Sequence, residues 1–275
     1  MRLRFTAVAI PALLLAPLLA GCDLLSPTPA PTPTLTPTPS ATDGATTAPV
    51  GGARQVSEQT DLFVFAFSYP QAAGEVEPLA RWLDARLDRE RNRLATVADQ
   101  GRTEARDNGF PFNTYASETA WEVVANLPDW LSLSAELSTY EGGAHPNYSF
   151  DTIVWDKARD RALEPIAFFT SPDALDRAMG SELCDALNAE RAQRRGEPVE
   201  EGSDDPFDGC IKPDEGNLLL GSSNGQSFDR IGIQIAPYLA GPYAEGSYEF
   251  TFPVTPAILD VVREEYRPAF AVARN

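Results

Sequence analysis

A proline-rich tract limits the part of this chain that can fold. Residues 26–50 are almost entirely Pro, Thr, Ser and Ala, and prolines stand at positions 27, 29, 31, 33, 37 and 39. Such a segment cannot bury a hydrophobic core and favours extended polyproline conformations. We therefore expect residues 22–57 to be a disordered linker that acts as a stalk. The folded part, about 220 residues, is expected to begin near Glu58.

The first 22 residues have the features of a bacterial lipoprotein signal peptide. Arg2 and Arg4 precede an apolar run from Phe5 to Ala20, and small residues lead directly into Cys22. The run is too short to span a bilayer stably, and small residues before a cysteine are typical of a cleavage site. We expect residues 1–21 to be removed and Cys22 to be acylated with fatty acids such as palmitate. These acyl chains would anchor the folded part to the lipid bilayer on the periplasmic side. The alternative is an ordinary secretory signal with a chance cysteine.

The two remaining cysteines, Cys184 and Cys210, are expected to form a disulfide. An exported protein enters an oxidising compartment, and no third thiol competes once Cys22 is acylated. Closing the loop between Cys184 and Cys210 contributes on the order of 3 kcal/mol to the stability of the folded state in the chain-entropy model. Two free buried thiols are the alternative. Two cysteines and one histidine are too few ligands for a zinc site, so we expect no metal or other cofactor.

The charge of the chain restricts its partners. The full sequence has 22 basic and 40 acidic residues and a formal net charge of −18. Removal of residues 1–21 takes away two arginines and no acid, so the mature chain has 40 acidic and 20 basic residues and a charge of −20. This charge argues against nucleic acid as a partner and favours a basic one. Solubility alone is the simpler interpretation of the acidity.

Apolar periodicity predicts both strands and helices after the linker. Alternating or aromatic-rich segments predict strands at residues 61–69, 114–125, 130–140, 149–155, 217–220, 230–235 and 247–252. Helical spacing predicts helices at residues 76–108, 171–194 and 256–267. Hairpin-length links without regular βαβ alternation predict an α+β fold of antiparallel sheets with packed helices. We expect two small subdomains, at residues 58–159 and 160–275, although one larger domain is the alternative.

The only histidine of the chain lies in a glycine-rich link between two predicted strands. Histidine titrates near neutral pH and both donates and accepts hydrogen bonds, so it suits either ligand contact or acid–base chemistry. The chain has no Gly-x-Ser-x-Gly nucleophile elbow and no pair of histidines for a metal hydrolase. We assign no catalytic residue, and an enzyme is the less favoured interpretation. The candidate ligand contacts in this link are Tyr140, Gly142, Gly143, His145 and Asn147.

A second unusual link occupies residues 236–246, which contain two Pro-Tyr pairs and two glycines. The prolines stiffen this link, and tyrosines supply contact surface at low entropic cost. We therefore add Tyr238, Pro242 and Tyr243 to the candidate ligand contacts. The alternative is a hairpin whose tyrosines pack back on the sheet.

Both links occur in a pattern that resembles a known family. The Tyr-x-Gly-Gly-Ala-His-x-Asn stretch at 140–147 is followed by a related segment at 160–169, and the link at 233–246 is followed by Phe-Thr-Phe-Pro at 250–253. Residues 58–265 thereby resemble the paired extracytoplasmic domains of unknown function in the lysozyme-sensing anti-sigma factor of Gram-positive bacteria. The same pair precedes the catalytic domain of a peptidoglycan N-acetylmuramic acid deacetylase.

The resemblance implies a cell-envelope binding module. In the anti-sigma factor this region binds lysozyme, so the implied ligand here is a basic muramidase or peptidoglycan, and the matching contacts lie at 140–147 and 237–246. The chain shows no sigma-binding segment, no transmembrane helix after the signal, and no histidine-rich deacetylase motif, so neither sigma regulation nor deacetylation is expected. A cell-wall-modifying hydrolase or deacetylase-associated enzyme that uses His145 is the alternative function.

Overall fold

The computed structural model describes residues 51–200 and 202–274. The predicted signal peptide, the predicted acylation site Cys22 and the linker up to residue 50 lie outside the described residues. The described residues belong to one compact unit. They confirm the predicted α+β class, since two antiparallel-rich sheets and four α-helices make up this part of the chain. The subdomain boundary at residue 159 stays a prediction.

The larger sheet has six strands in the order of the sequence. Its strands are β1 Arg54–Gln59, β2 Phe63–Tyr69, β3 Tyr115–Asn126, β4 Trp130–Tyr140, β5 Asn147–Asp156 and β6 Arg161–Leu163. All neighbours are antiparallel except β2 and β3, which run parallel. The chain between these two contains α1 (Gln71–Gly74) and α2 (Glu77–Asn108), because parallel neighbours need a long crossover connection.

Helix α2 covers one face of the six-stranded sheet. It buries a stripe of leucines and alanines at helical spacing against the aromatic side chains of β2, and these form one hydrophobic core. The main members of the stripe are Leu79, Leu83, Leu87, Leu94 and Ala98. Gly109 ends the helix in the left-handed conformation, at φ 74°. Among the described residues no helix is both long and apolar enough to cross a membrane.

The smaller sheet has three antiparallel strands, β7 (Asn217–Gly221), β8 (Arg230–Ile235) and β9 (Tyr248–Pro253). Helix α3 (Pro172–Arg195) packs on it through Leu175, Met179, Leu183 and Leu187, and a second core forms there. The Ser171 Oγ caps this helix by accepting the amide hydrogen of Ala174. The predicted disulfide between Cys184 and Cys210 is confirmed, with Cα atoms 5.2 Å apart.

The predicted closing helix at 256–267 is wrong in length. Helix α4 covers only Pro256–Asp260, and a short 3₁₀ helix follows at Arg267–Ala269. The apolar residues Ile258, Val262, Tyr266 and Phe270 are spaced by four and are buried, which explains the helical pattern. The chain nevertheless leaves the helix, because its backbone pairs with the segment before α3: the Thr170 amide donates to the Val261 carbonyl, and the Arg263 amide donates to the Phe168 carbonyl.

Strand β1 begins at Arg54, four residues before the expected start of the folded part. Its sequence, RQVSEQ, has a single apolar residue, so no apolar alternation marks it. It forms because it lies at the edge of the sheet. Its backbone groups on one side form hydrogen bonds with β2, and those on the other side can form them with water.

Candidate functional site

Two links from different sheets meet at the surface of the molecule. One joins β4 to β5 and contains His145; the other joins β8 to β9 and contains Tyr243. Their rings stack with centroids 3.7 Å apart and an interplanar angle of 22°. The sequence singled out both links separately, and the structure brings them together.

Two more rings extend this contact. The ring of Tyr238 lies 5.8 Å from that of Tyr243, and the ring of Tyr148 lies 6.3 Å from it on centroid distances. We call the four residues His145, Tyr148, Tyr238 and Tyr243 the aromatic stack. Tyr148 is 49% exposed and Tyr238 is 51% exposed, and Leu239 beside them is 49% exposed. The stack is therefore an open aromatic surface and not part of either core.

Both ring nitrogens of His145 are engaged. Nδ1 lies 2.9 Å from the carbonyl oxygen of Pro146, which can only accept, so Nδ1 donates. Nε2 lies 3.3 Å from the Tyr238 hydroxyl, a group that can donate or accept. Neither partner is a carboxylate or an activated nucleophile. The arrangement orients the imidazole between the two links.

The link around Tyr238 has an unusual backbone. Tyr238 has φ 72°, in the left-handed region that residues other than glycine rarely adopt. Its amide donates to the carbonyl of Gly241 at 2.9 Å, which closes a tight turn. Tyr243, two residues after Gly241, has a pKa above its ordinary value because of burial and the neighbouring Tyr148. Its phenol is therefore neutral at physiological pH.

Three arginines of helix α3 donate hydrogen bonds to the second link: Arg191, Arg194 and Arg195. Arg195 donates from Nε and Nη2 to the two carboxylate oxygens of Glu245, at 2.8 and 3.2 Å. Burial alone would raise the pKa of Glu245, but the hydrogen bonds from Arg195 and from the Tyr248 hydroxyl outweigh it and lower that pKa. Glu245 is thus a fixed carboxylate two residues after Tyr243.

Five of the predicted contacts lie in or beside the two links but outside the aromatic stack: Tyr140, Gly142, Gly143, Asn147 and Pro242. Tyr140 ends β4 and Asn147 begins β5. Gly142 has φ 86°, which favours glycine, and a Cβ there would contact Tyr115 at 3.5 Å. Its role in the structure is to shape the link.

Sequence reasoning missed Tyr148 and the arginines of α3. Tyr148 directly follows Asn147 and is exposed at the start of β5, so alternation along that strand was a usable signal. Arg194 and Arg195 belong to a run of charged residues at the end of a helix, a pattern also typical of a solvated terminus. No local signal connects them to Glu245, which is about 50 residues away in the chain.

An acidic sheet surface adjoins the aromatic stack. Glu118, Glu122 and Glu136 point away from α2, are exposed, and have no ion pair among the described residues. None of the residues that β1 to β4 direct to this side is basic. In register, Ser138 of β4 is opposite Tyr148, so the surface continues into the stack.

The acids on the other side of this sheet differ, because each is paired. Glu58 contacts Arg91 at 2.6 Å, and Asp151 contacts Arg86 at 2.5 Å. The unpaired negative charge of the sheet is therefore concentrated on the side next to the stack. Within the described ranges, no group of three or more His, Cys, Asp or Glu side chains could hold a metal ion.

Comparison with known families supports part of the resemblance. Residues 56–148 match the family model described as deacetylase PdaC. This region runs from β1 into the first residues of β5 and includes two members of the stack, His145 and Tyr148. No curated protein sequence matches the chain significantly.

Two crystal structures of DUF3298 family proteins match the chain. A DUF3298 family member from Bacteroides fragilis NCTC 9343 is 19% identical, with a TM-score of 0.50, over 74% of this chain and 89% of that one. A DUF3298 family protein from Pseudomonas aeruginosa PAO1 is 12% identical, with a TM-score of 0.46, over 82% of this chain and 99% of that one. The family-model match supports a PdaC-type domain at residues 56–148, and the Bacteroides structure supports a fold like that of a DUF3298 protein. The resemblance to the lysozyme-sensing anti-sigma factor stays a prediction.

Proposed function

We propose that this protein is a lipid-anchored binding module of the bacterial cell envelope and that the aromatic stack is its ligand contact. The observation that supports this most directly is the meeting of two links from different sheets in four stacked rings, two of which are about half exposed. Exposed aromatic surface of this kind is typical of interaction sites. Tyrosine in particular gives large contact area with few rotamers to immobilise.

Binding is favoured over catalysis by the state of His145. Its two ring nitrogens are hydrogen-bonded within the site, to Pro146 and Tyr238. A general base needs a free lone pair near a substrate proton and usually a group that orients it. The alternative of a hydrolase that uses His145 is therefore weaker than that of a contact surface.

The acidic sheet surface favours a basic muramidase as the ligand. Three glutamates without an ion pair among the described residues lie on the sheet surface that continues into the stack, and the mature chain has a charge of −20. Opposite charge accelerates encounter and makes binding dependent on salt. The peptides attached to glycan strands carry carboxylates of their own, so an acidic surface attracts peptidoglycan less than it attracts a basic protein. Peptidoglycan is therefore the alternative ligand.

The proposed location rests on the sequence and on two findings. The signal peptide and Cys22 predict export and a lipid anchor. The Cys184–Cys210 disulfide suits an oxidising compartment. The family model that matches residues 56–148 is described as a deacetylase, and the envelope is where the resemblance places that enzyme's substrate.

Calorimetry with purified full-length protein tests the proposal. Hen lysozyme and purified peptidoglycan are titrated separately at low and at physiological salt, with Tyr243→Ala as the test variant and Phe110→Ala as its control. Phe110 is 52% exposed and lies after α2, outside the stack. We expect salt-sensitive lysozyme binding that Tyr243→Ala weakens by about 10- to 100-fold and Phe110→Ala leaves unchanged. Binding of peptidoglycan but not of lysozyme would identify peptidoglycan as the ligand. No binding of either ligand at low salt would overturn the proposed function.

A further inference from the structure

We infer that the Cys184–Cys210 disulfide is a redox-sensitive support of the aromatic stack, so that its reduction loosens the link at 236–247 and weakens ligand binding. The inference concerns regulation of the site proposed above and rests on that function for its biological meaning. Its structural part, the coupling between disulfide and link, can be tested without a ligand.

The disulfide is accessible to a reductant. It joins α3 to the segment before β7, and Cys210 is exposed. Both cysteines line an open surface groove of about 480 Å³, together with Gly180 and Ser181 of α3 and Lys212. A small dithiol can therefore approach the sulfur atoms without unfolding of either core.

The disulfide fixes two acceptors of a buried arginine. Arg191 has no exposed surface, and Nη1 and Nη2 donate to the carbonyls of Asp208 and Gly209 at 3.2 and 3.0 Å. These residues directly precede Cys210, so the cross-link sets where their carbonyls lie. A third acceptor is the side-chain oxygen of Asn188 at 2.9 Å. Because none of these acceptors is a carboxylate, Arg191 depends on all of them to offset its burial.

The same arginine reaches the link that carries the stack. Its Nε donates to the carbonyl of Ala240 at 2.9 Å, and Ala240 lies between Tyr238 and Tyr243 in the chain. Arg195, one turn later, provides a parallel connection, because it pairs with both Asp208 and Glu245. The segment closed by the disulfide and the link at 236–247 thus share two arginines of α3. Arg194 donates to the link as well, and Ala240 packs in the core that α3 covers.

Reduction changes this arrangement in a defined way. A thiolate of a dithiol reductant attacks one sulfur, the second thiol of the reductant resolves the mixed disulfide, and the products are two cysteine thiols and the oxidised reductant. Residues 203–210 are then held only by non-covalent contacts. Motion of the Asp208 and Gly209 carbonyls leaves Arg191 short of acceptors, and its bond to Ala240 is strained or lost as the side chain seeks new partners.

Hydrogen–deuterium exchange of the full-length protein, oxidised and after treatment with dithiothreitol, tests the coupling. We expect amides in residues 236–247 to exchange about tenfold faster after reduction, while those of β3 and β4 stay unchanged. Cys184→Ser with Cys210→Ser should give the same result without reductant. Arg191→Lys keeps the charge but loses the planar set of donors, so it should speed exchange in the oxidised protein and leave little further effect of reduction.

The outcomes separate this inference from the proposed function. Faster exchange limited to residues 203–210, with 236–247 unchanged, would overturn the coupling even if lysozyme or peptidoglycan binds. If reduction speeds exchange in residues 236–247 but neither lysozyme nor peptidoglycan binds, the coupling is supported and the proposed function is overturned. If a ligand binds, reduction should also weaken it by about tenfold, and equal affinity in both redox states would overturn the regulatory part.

Discussion

The rings of His145 and Tyr243 stack at a centroid distance of 3.7 Å, although each belongs to a link of a different sheet. Because His145 is the only histidine, its two carbon-bound ring protons give signals that no other residue can obscure. A ring stacked on an imidazole shifts these signals upfield through its ring current. We expect both signals to be upfield in the native protein and to move downfield in Tyr243→Ala, as measured by proton NMR.

The matched variant for this prediction is Tyr243→Phe. It keeps the ring and removes only the hydroxyl, so the imidazole signals should stay close to their native positions. Identical spectra for the native protein and Tyr243→Ala would show that the two links do not meet in solution.

Helix α2 should depend on its leucine stripe for stability. Leu83 is fully buried between this helix and the sheet, so Leu83→Ala removes packed atoms and leaves a cavity. We expect the free energy of unfolding to fall by about 2–5 kcal/mol, measured by urea denaturation followed by circular dichroism. Arg89→Ala, on the exposed side of the same helix, should change it by less than about 0.5 kcal/mol. Equal effects of the two substitutions would contradict this packing.

Much of the fold was predictable because local pattern and tertiary structure agree. The bounds of β4, β8 and α3 follow the apolar periodicity and the capping residues to within about one residue. The prediction failed where pairing with distant backbone decides the structure. The helical spacing after Asp260 persists in a segment that pairs with the chain before α3 through the Val261 carbonyl and the Arg263 amide. No property of residues 256–267 alone reveals that partner.

The candidate site was predictable in its parts and not in its assembly. Unusual composition marked both links, and His145, Tyr238 and Tyr243 were named from it. Their contact depends on how the two sheets pack, which sequence periodicity does not encode. The same holds for Arg191, whose donors are satisfied by backbone carbonyls from two distant segments and by the side chain of Asn188 on its own helix. A run of arginines at a helix end gives no sign of such partners.

Asp229 should make stability depend on pH. Its carboxylate is buried and accepts hydrogen bonds from the amide and the hydroxyl of Ser223, at 2.7 and 2.5 Å. Burial alone would raise its pKa, but these hydrogen bonds, with contributions from Arg230 and Asn224, lower the pKa below its ordinary value. A lowered pKa in the folded state means that the stabilisation is present above the pKa of the unfolded chain and is lost as the pH falls through the folded value.

Asp229→Asn tests this linkage. We expect it to cost about 1–3 kcal/mol at pH 7, since it removes a charged acceptor from buried donors. The difference between native and variant should narrow below about pH 4, where the unfolded carboxyl becomes protonated. Urea denaturation at a series of pH values measures both quantities. A difference that stays constant down to pH 2 would assign the effect to packing and not to charge.

Tyr248 should be the last tyrosine near the stack to ionise. Burial, and then the hydrogen bond that its hydroxyl donates to Glu245, raise its pKa to about 12, whereas an ordinary tyrosine titrates near pH 10. In a spectrophotometric pH titration of the tyrosines, Tyr248→Phe should therefore remove the absorbance change only at the alkaline end. Circular dichroism recorded at each pH shows the range in which the protein stays folded. Glu245→Gln should shift the same step to lower pH, because a neutral amide stabilises the phenol less and repels the phenolate less than a carboxylate does. If all tyrosines of the native protein ionise near pH 10, Tyr248 is neither buried nor held by Glu245 as the structure has it.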